Sequence, residues 1–273
     1  MIKVVVFISG GILPVLALAT IPTMFVAFMQ RDTEFAISLI VLALVTISIS
    51  YLIRKFVLPT RQLTTIQGFG AVGLSWIFMS LFGTIPYILS AIDLSYSNIF
   101  FETVSGLTTT GSSILTDIEA VDKSLLIWRS TTQWLGGMGV IVLTITILPL
   151  LGSGGINLFK AESPGPSADR LTPKFKDTAK LLWIVYISLT ILETILLYYS
   201  GLNIFDAFNH SLTTLSTGGF STFNTSVSEF STLSKFIINI FMYLAGTSFI
   251  LLLKTIRSRS CLLYTSDAAD DRI

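Results

Sequence analysis

Long apolar segments dominate this chain and restrict it to a membrane-spanning fold. Of its 273 residues, 52% are hydrophobic and only 12% are charged, which is far from the composition of ordinary soluble domains. A helix needs about 20 mostly apolar residues to cross a bilayer, and six segments come close to that length. They are residues 4–29, 35–53, 68–91, 125–151, 181–200 and 236–253. The sequence therefore predicts an all-α membrane protein.

Two further apolar stretches, residues 97–107 and 204–212, are too short to cross a bilayer. Each lies between two of the long segments, and each leads into a stretch rich in hydroxyl side chains and glycine, residues 108–113 and 216–220. Irregular backbone is tolerated at membrane depth only where protein or a water-filled path surrounds it, because lipid cannot hydrogen-bond it. The arrangement predicts two re-entrant pore loops, each preceded by a half-helix.

The two pore loops are predicted to be copies of one unit, since an offset of 107 residues places Thr109 on Ser216, Thr110 on Thr217 and Gly111 on Gly218. Backbone carbonyls can replace the hydration shell of a small cation, and the negative carboxyl end of a half-helix favours positive charge. The predicted cation ligands are Thr109, Thr110, Gly111, Ser216, Thr217 and Gly218.

The distribution of lysine and arginine predicts the orientation in the membrane. If the amino terminus is cytoplasmic, eleven basic residues up to residue 257 fall inside and three fall outside. This asymmetry agrees with the positive-inside rule. Both pore loops then enter from the outer face, and the polar connection 152–176 is cytoplasmic.

Composition argues against several other functions. The net charge of +1 offers no basic face for nucleic acid. Cys261 and His210 are the only cysteine and histidine, so neither a zinc site nor a Cys–His catalytic pair can be built from them. The glycine-rich residues 152–155 lack the strand and the Lys-Ser/Thr pair of a phosphate-binding loop. We therefore expect no enzymatic activity and no organic cofactor.

Three motifs are specific enough to indicate a family. They are Phe101-Glu102 followed by residues 105–111, residues 209–221, and Trp128-Arg129-Ser130 with residues 133–139. They resemble the first filter, the second filter and the helix after the first filter of the Trk/Ktr/HKT superfamily of potassium transporters. The two helices before the first repeat are similar to the Trk type.

This resemblance implies potassium uptake across the cell inner membrane through a filter of carbonyl and hydroxyl oxygens, with K⁺ as the transported ion. It also implies a homodimer in lipid with a peripheral, nucleotide-binding cytoplasmic regulator. The family pore has four repeats, and two are found here, so the chain is interpreted as an amino-terminal half. The predicted units are a two-helix unit (1–60), a first repeat (61–152), a connector (153–176), a second repeat (177–257) and a tail (258–273) interpreted as cloning or sequencing read-through.

Charged and polar residues within the apolar segments have structural interpretations. A pair between Arg129 and Glu102 is expected to support the filter, because intramembrane charges usually have a partner. Glu193 is expected to hydrogen-bond between helices, with a proton relay as the alternative, and His210 is expected to bond backbone groups. Alternatives to potassium uptake are a sodium-permeant or sodium-coupled transporter, which Gly111 disfavours because sodium-selective relatives would have serine there, and a membrane scaffold or inactive fragment.

Overall fold

The computed structural model describes residues 2–57, 65–90, 92–139 and 175–247, together with residue 249. Every regular element in these ranges is an α-helix, as the sequence predicts. We number the helices in chain order. They are α1 Ile2–Ile12, α2 Pro14–Met29, α3 Thr33–Phe56, α4 Thr65–Gly83, α5 Ile85–Ile88, α6 Tyr96–Leu107, α7 Lys123–Gly137, α8 Phe175–Tyr199, α9 Ile204–Leu215 and α10 Thr232–Gly246.

Four stretches of the described residues are long and apolar enough to cross a membrane. They are Ile2–Met29, which comprises α1 and α2, and Thr33–Phe56, Ile66–Ile88 and Lys180–Tyr199. These match the first, second, third and fifth predicted crossings. The fourth and sixth crossings begin as α7 and α10, and most of their remaining residues lie outside the described ranges. Residues 153–174 of the predicted connector and the predicted tail also lie outside those ranges.

The amino-terminal helices pack against the first repeat. Helix α2 lies against α3 and α7, and α1 lies against α4. A buried core joins them, with Leu16, Leu39, Leu42 and Trp128 completely enclosed. On the other side of α3, apolar side chains at intervals of seven residues stay exposed, as expected for a face that contacts lipid.

The repeats are helix, half-helix, helix: α4, α6 and α7 in the first, and α8, α9 and α10 in the second. The two half-helices have 12 residues each, and both begin after a side-chain cap, Ser95 for α6 and Asn203 for α9. Helix α9 packs against α7 as well as α8, so the second half-helix lies against the first repeat.

The offset that relates the half-helices is 108 residues, and the predicted offset of 107 is wrong by one. Helices α6 and α9, their caps and their terminal hydrogen bonds all correspond at 108. The prediction matched Thr110-Gly111 to Thr217-Gly218 by residue identity. Backbone conformation sets the true register, because Thr109 corresponds to Thr217 and Gly111 to Gly219, each pair with nearly equal positive φ.

Candidate functional site

Both half-helices end in the same hydrogen-bonded turn, which starts the candidate filter. In α6, the Thr109 N–H donates to Gly106 O and the Thr110 N–H to Ser105 O, both at 2.9 Å. In α9, the Thr217 N–H donates to Thr214 O at 2.9 Å and the Gly218 N–H to Thr213 O at 3.0 Å. These are Schellman motifs, in which one residue adopts a left-handed conformation to close the helix. The turn ends each half-helix at the same point of the repeat.

Threonine occupies the left-handed position in both turns, with φ of 53° at Thr109 and 58° at Thr217. The same motif closes α8, and there the residue is Gly201, the usual choice because glycine has no Cβ. A β-branched residue in this region is a conformational outlier. Strained backbone of this kind concentrates at functional sites, so its occurrence at both matched positions makes these turns the candidate functional elements.

The backbone after each turn leaves carbonyl oxygens free. Left-handed φ recurs two residues later, at Gly111 (78°) and Gly219 (76°), and is absent from Thr110 and Gly218 between them. Within the described ranges, no donor reaches the carbonyls of Thr109, Thr110, Gly111, Thr217 or Gly218. Backbone carbonyls without a donor among the described residues are available to a cation.

The two turns meet each other directly. A Cβ built on Gly111 would collide with the backbone carbonyl oxygen of Gly218, so the first and second filter segments are in backbone contact. The structure therefore brings together the predicted ligands of both repeats. Of their side chains, Ser216 bonds within its own helix, to Thr213 O at 3.1 Å, and the Thr110 hydroxyl lies 2.8 Å from that of Thr108.

Glu102 and Arg129 form a buried ion pair behind the first turn. The Arg129 Nε and Nη2 atoms both lie 2.9 Å from Glu102 Oε1, with 1% and 0% of the two side chains exposed. Glu102 also accepts from the Ser113 hydroxyl at 2.9 Å and the Ile114 N–H at 3.0 Å. The carboxylate thus fixes the chain just after the filter.

Arg129 also reaches the second repeat. Its Nη1 donates to Ser221 O at 3.3 Å, and its guanidinium lies 4.2 Å from the centre of the Phe220 ring. One side chain on α7 therefore braces the loops that follow both filter segments.

His210 occupies the position in α9 that Glu102 occupies in α6. Its Nδ1 lies 2.8 Å from Asp206 O and its Nε2 lies 3.0 Å from the Ser221 hydroxyl. Because a carbonyl only accepts, Nδ1 carries the proton, and in the neutral ring Nε2 accepts from Ser221. Ser221 corresponds to Ser113, so an acid and an imidazole hold equivalent serines.

Gln133 of α7 is a site residue that the sequence analysis did not single out. It is fully buried, and its Oε1 accepts from the Phe220 N–H at 3.0 Å. Its side chain packs on Gly218. Only its place in the motif 133–139 pointed to it, since a glutamine in an apolar helix signals no particular contact.

Asn224 joins the loops that follow the filter segments of the two repeats. Its Oδ1 accepts from the Ile118 N–H at 2.7 Å, its Nδ2 donates to Asp117 at 3.0 Å, and its N–H donates to Glu119 at 3.1 Å. The hydrogen bond from Asn224 holds the pKa of the Asp117 carboxyl below its usual value. The loops that follow the two filter segments are thus joined by three hydrogen bonds, each with a side chain as donor or acceptor.

Glu193 is buried on the face of α8 that packs against α9. Thr214 is a polar neighbour, but within the described residues neither carboxyl oxygen has a partner at hydrogen-bond geometry. The interhelical bond expected for it stays a prediction.

The fold and the site define an all-helical membrane protein built from helix, half-helix, helix repeats. A family model described as TrkH, a cation transport protein, matches residues 33–266. The chain belongs to this family.

Individual relatives agree with the family match. The Trk system potassium uptake protein TrkH of Halomonas elongata is 35% identical over 271 residues, which cover 97% of this chain and 56% of the relative. The protein of the same name from Escherichia coli K12 is 39% identical over 209 residues, 76% of this chain and 43% of the relative.

A solved structure is similar over almost the whole chain. The crystal structure of the potassium transporter TrkH from Vibrio parahaemolyticus superimposes with a TM-score of 0.74 at 30% identity, covering 94% of this chain and 52% of that one. The chain spans about half the length of the relatives it matches.

Proposed function

We propose that this chain supplies two of the loops of a potassium-selective filter and serves in potassium uptake. The observation that carries the proposal is the matched pair of strained turns, Thr109–Gly111 and Thr217–Gly219, whose carbonyls have no protein donor within the described ranges and which touch through Gly111 and Gly218. Relatives named as potassium uptake proteins and a structure titled as a potassium transporter support the choice of ion.

The proposed mechanism exchanges the water around the ion for protein oxygens. Potassium loses part of its hydration shell at the filter, and carbonyls of the two turns replace it. The carboxyl ends of α6 and α9 add partial negative charge at that point, which favours a cation over an anion. No covalent chemistry takes part.

The setting of this function follows from the family and from charge. We place the chain in the cell membrane, the inner membrane of a bacterium, with the amino terminus in the cytoplasm. The positive-inside rule supports this orientation. A homodimer with a nucleotide-binding regulator on the cytoplasmic side is proposed from the family resemblance.

Replacing Gly111 by serine tests the proposal. The new Cβ would meet the Gly218 carbonyl oxygen, and φ at this position is +78°, so the two segments must separate. We expect a loss of discrimination between potassium and sodium of about tenfold or more. The variant is made in the protein encoded by the complete native gene and expressed in a host that lacks potassium uptake. Two quantities are measured with and without sodium: growth on limiting potassium, and the uptake of rubidium.

Gly73→Ser is the matched control, because Gly73 lies in the spanning helix α4 with nothing within 4 Å of its added Cβ. It should leave uptake unchanged. If the unmodified protein restores growth but takes up sodium as readily as potassium, the sodium-permeant alternative replaces the proposal. If Gly111→Ser alters neither uptake nor selectivity, the filter assignment is wrong.

A further inference from the structure

Gln133 lies between the two filter segments, with its carboxamide held at one end only. The Oε1 end accepts from the buried Phe220 N–H. That assignment is fixed by chemistry, because a backbone N–H must face an acceptor. The Nε2 end is buried, and the described residues offer it no hydrogen-bond partner. It lies 3.8 Å from the place where a Cβ on Gly111 would be.

The same carboxamide explains why residue 218 is glycine. Gly218 does not have a positive φ, so its backbone would accept any L-residue. Its built Cβ, however, would overlap the Gln133 side chain, lying 2.6 Å from Oε1 and 2.7 Å from Nε2. Gly219 shows the opposite case, a positive φ of 76° with open space around its Cβ. Glycine is therefore favoured at 218 by the buried Gln133 carboxamide and at 219 by the positive φ.

We propose that Gln133 is a positioning residue for selectivity: from α7 it anchors the second filter segment through Phe220 N–H and sets its distance from the first. The proposal rests on the potassium-uptake function above. Removing the acceptor would leave a buried N–H unsatisfied, and the segment would shift to find another partner. Since the carbonyls of Gly218 and its neighbours move with it, the fit to the ion changes.

The first test compares two replacements of Gln133 by residues of similar size, made in the protein encoded by the complete native gene. Gln133→Leu removes the acceptor, and we expect potassium over sodium discrimination to fall about tenfold. Gln133→Glu keeps an oxygen facing Phe220 N–H, and discrimination should stay within about threefold of the original. Selectivity is the readout because a purely structural role would lower the amount of inserted protein and leave the ratio of ions unchanged.

The second test is a double-mutant cycle between Gln133→Ala and Gly218→Ala. If the Gln133 carboxamide excludes a side chain at position 218, Gly218→Ala lowers uptake and the thermal midpoint when Gln133 is present. The same substitution is nearly neutral in the Gln133→Ala variant. Gly111→Ala is the matched control. Its Cβ meets the backbone oxygen of Gly218 and its φ is positive, so it should be equally harmful in both backgrounds. Interaction between contacting residues appears in such a cycle as non-additivity.

Each variant is measured twice, by ion uptake and by the midpoint of thermal unfolding of the purified protein in potassium and in sodium. The unfolding midpoints give the coupling between Gln133 and Gly218 even if the unmodified protein takes up no potassium. Failure of the transport function is therefore distinguished from failure of this inference. Equal cost of Gly218→Ala in both backgrounds, or full discrimination in Gln133→Leu, would overturn the role of Gln133.

Discussion

Thr109 and Thr217 adopt a conformation that most residues avoid. The left-handed region costs an L-residue about 1–2 kcal/mol, and a β-branched side chain is especially poorly suited to it. Arg31 shows the same conformation, with φ of 55°, in the Schellman turn that closes α2. It is exposed and belongs to neither filter segment. The three residues therefore allow conformational strain to be separated from function.

Replacing Thr217 by glycine should make the protein more stable and less selective. Glycine removes the strain, about 1 kcal/mol, so the midpoint of thermal unfolding should rise. The flexible backbone no longer holds its carbonyls in one direction, so discrimination of potassium from sodium in rubidium uptake should fall. Arg31→Gly should bring the same rise in midpoint with no change in uptake. A Thr217→Gly protein with unaltered selectivity would mean that the strained turn has no role in ion choice.

At the scale of elements, the Glu102–Arg129 pair joins α6 to α7 and reaches the loop after α9. Taking one partner from a buried ion pair leaves an isolated charge, which costs about 3–5 kcal/mol, whereas removing both charges costs much less. Replacing Glu102 also weakens its hydrogen bonds from the Ser113 hydroxyl and the Ile114 N–H, which adds to the loss of stability.

We expect Glu102→Gln and Arg129→Gln each to reduce the yield and thermal midpoint of the folded protein sharply. The double variant should recover a large part of the loss, because two neutral amides can hydrogen-bond where a lone charge cannot. Yield in membranes and unfolding in detergent measure this. Losses in the double variant equal to the sum of the single losses would show that the pair contributes no net coupling.

Much of the element pattern is readable from the sequence, because length and hydropathy decide which helices span. The half-helices are also predictable, since Ser95 and Asn203 cap stretches too short to cross. The register that relates the two repeats is not predictable from the sequence. Identity favours Thr217-Gly218 as the match of Thr110-Gly111, whereas the helix bounds, the terminal hydrogen bonds and the backbone φ show that Gly219 corresponds to Gly111. Gln133 escaped prediction because its role depends on a contact with Phe220, 87 positions away.

At the scale of the whole molecule, charge asymmetry predicts the orientation. Eleven basic residues on one side against three on the other predict a cytoplasmic amino terminus. The loops joined by Asn224 would then lie outside the cell, at the entrance to the filter.

Cysteine labelling in intact cells checks this orientation. A cysteine at Ala120 or at Ser228 should react with an impermeant thiol reagent, and a cysteine at Ser163 should react only after the cells are opened. Every other cysteine of the protein tested, Cys261 included if present, is first replaced by serine. Labelling of Ser163→Cys alone in intact cells would reverse the orientation.

Glu102 and His210 are different residues at equivalent positions, which shows that the two repeats can be substituted independently. In a ring of identical chains, one codon specifies every copy of a position, so each substitution strikes all copies together. Here the two repeats lie in one chain, so each has its own codons. Helices α7 and α10 correspond at an offset of 109 residues, as their caps Asp122 and Ser231 show, so Arg129 corresponds to Ile238, a buried apolar residue. The guanidinium contacts of the first repeat therefore have no counterpart at this position of the second. A point mutation therefore alters one repeat at a time. In a homo-oligomeric channel, the same experiment requires subunits that are linked in tandem.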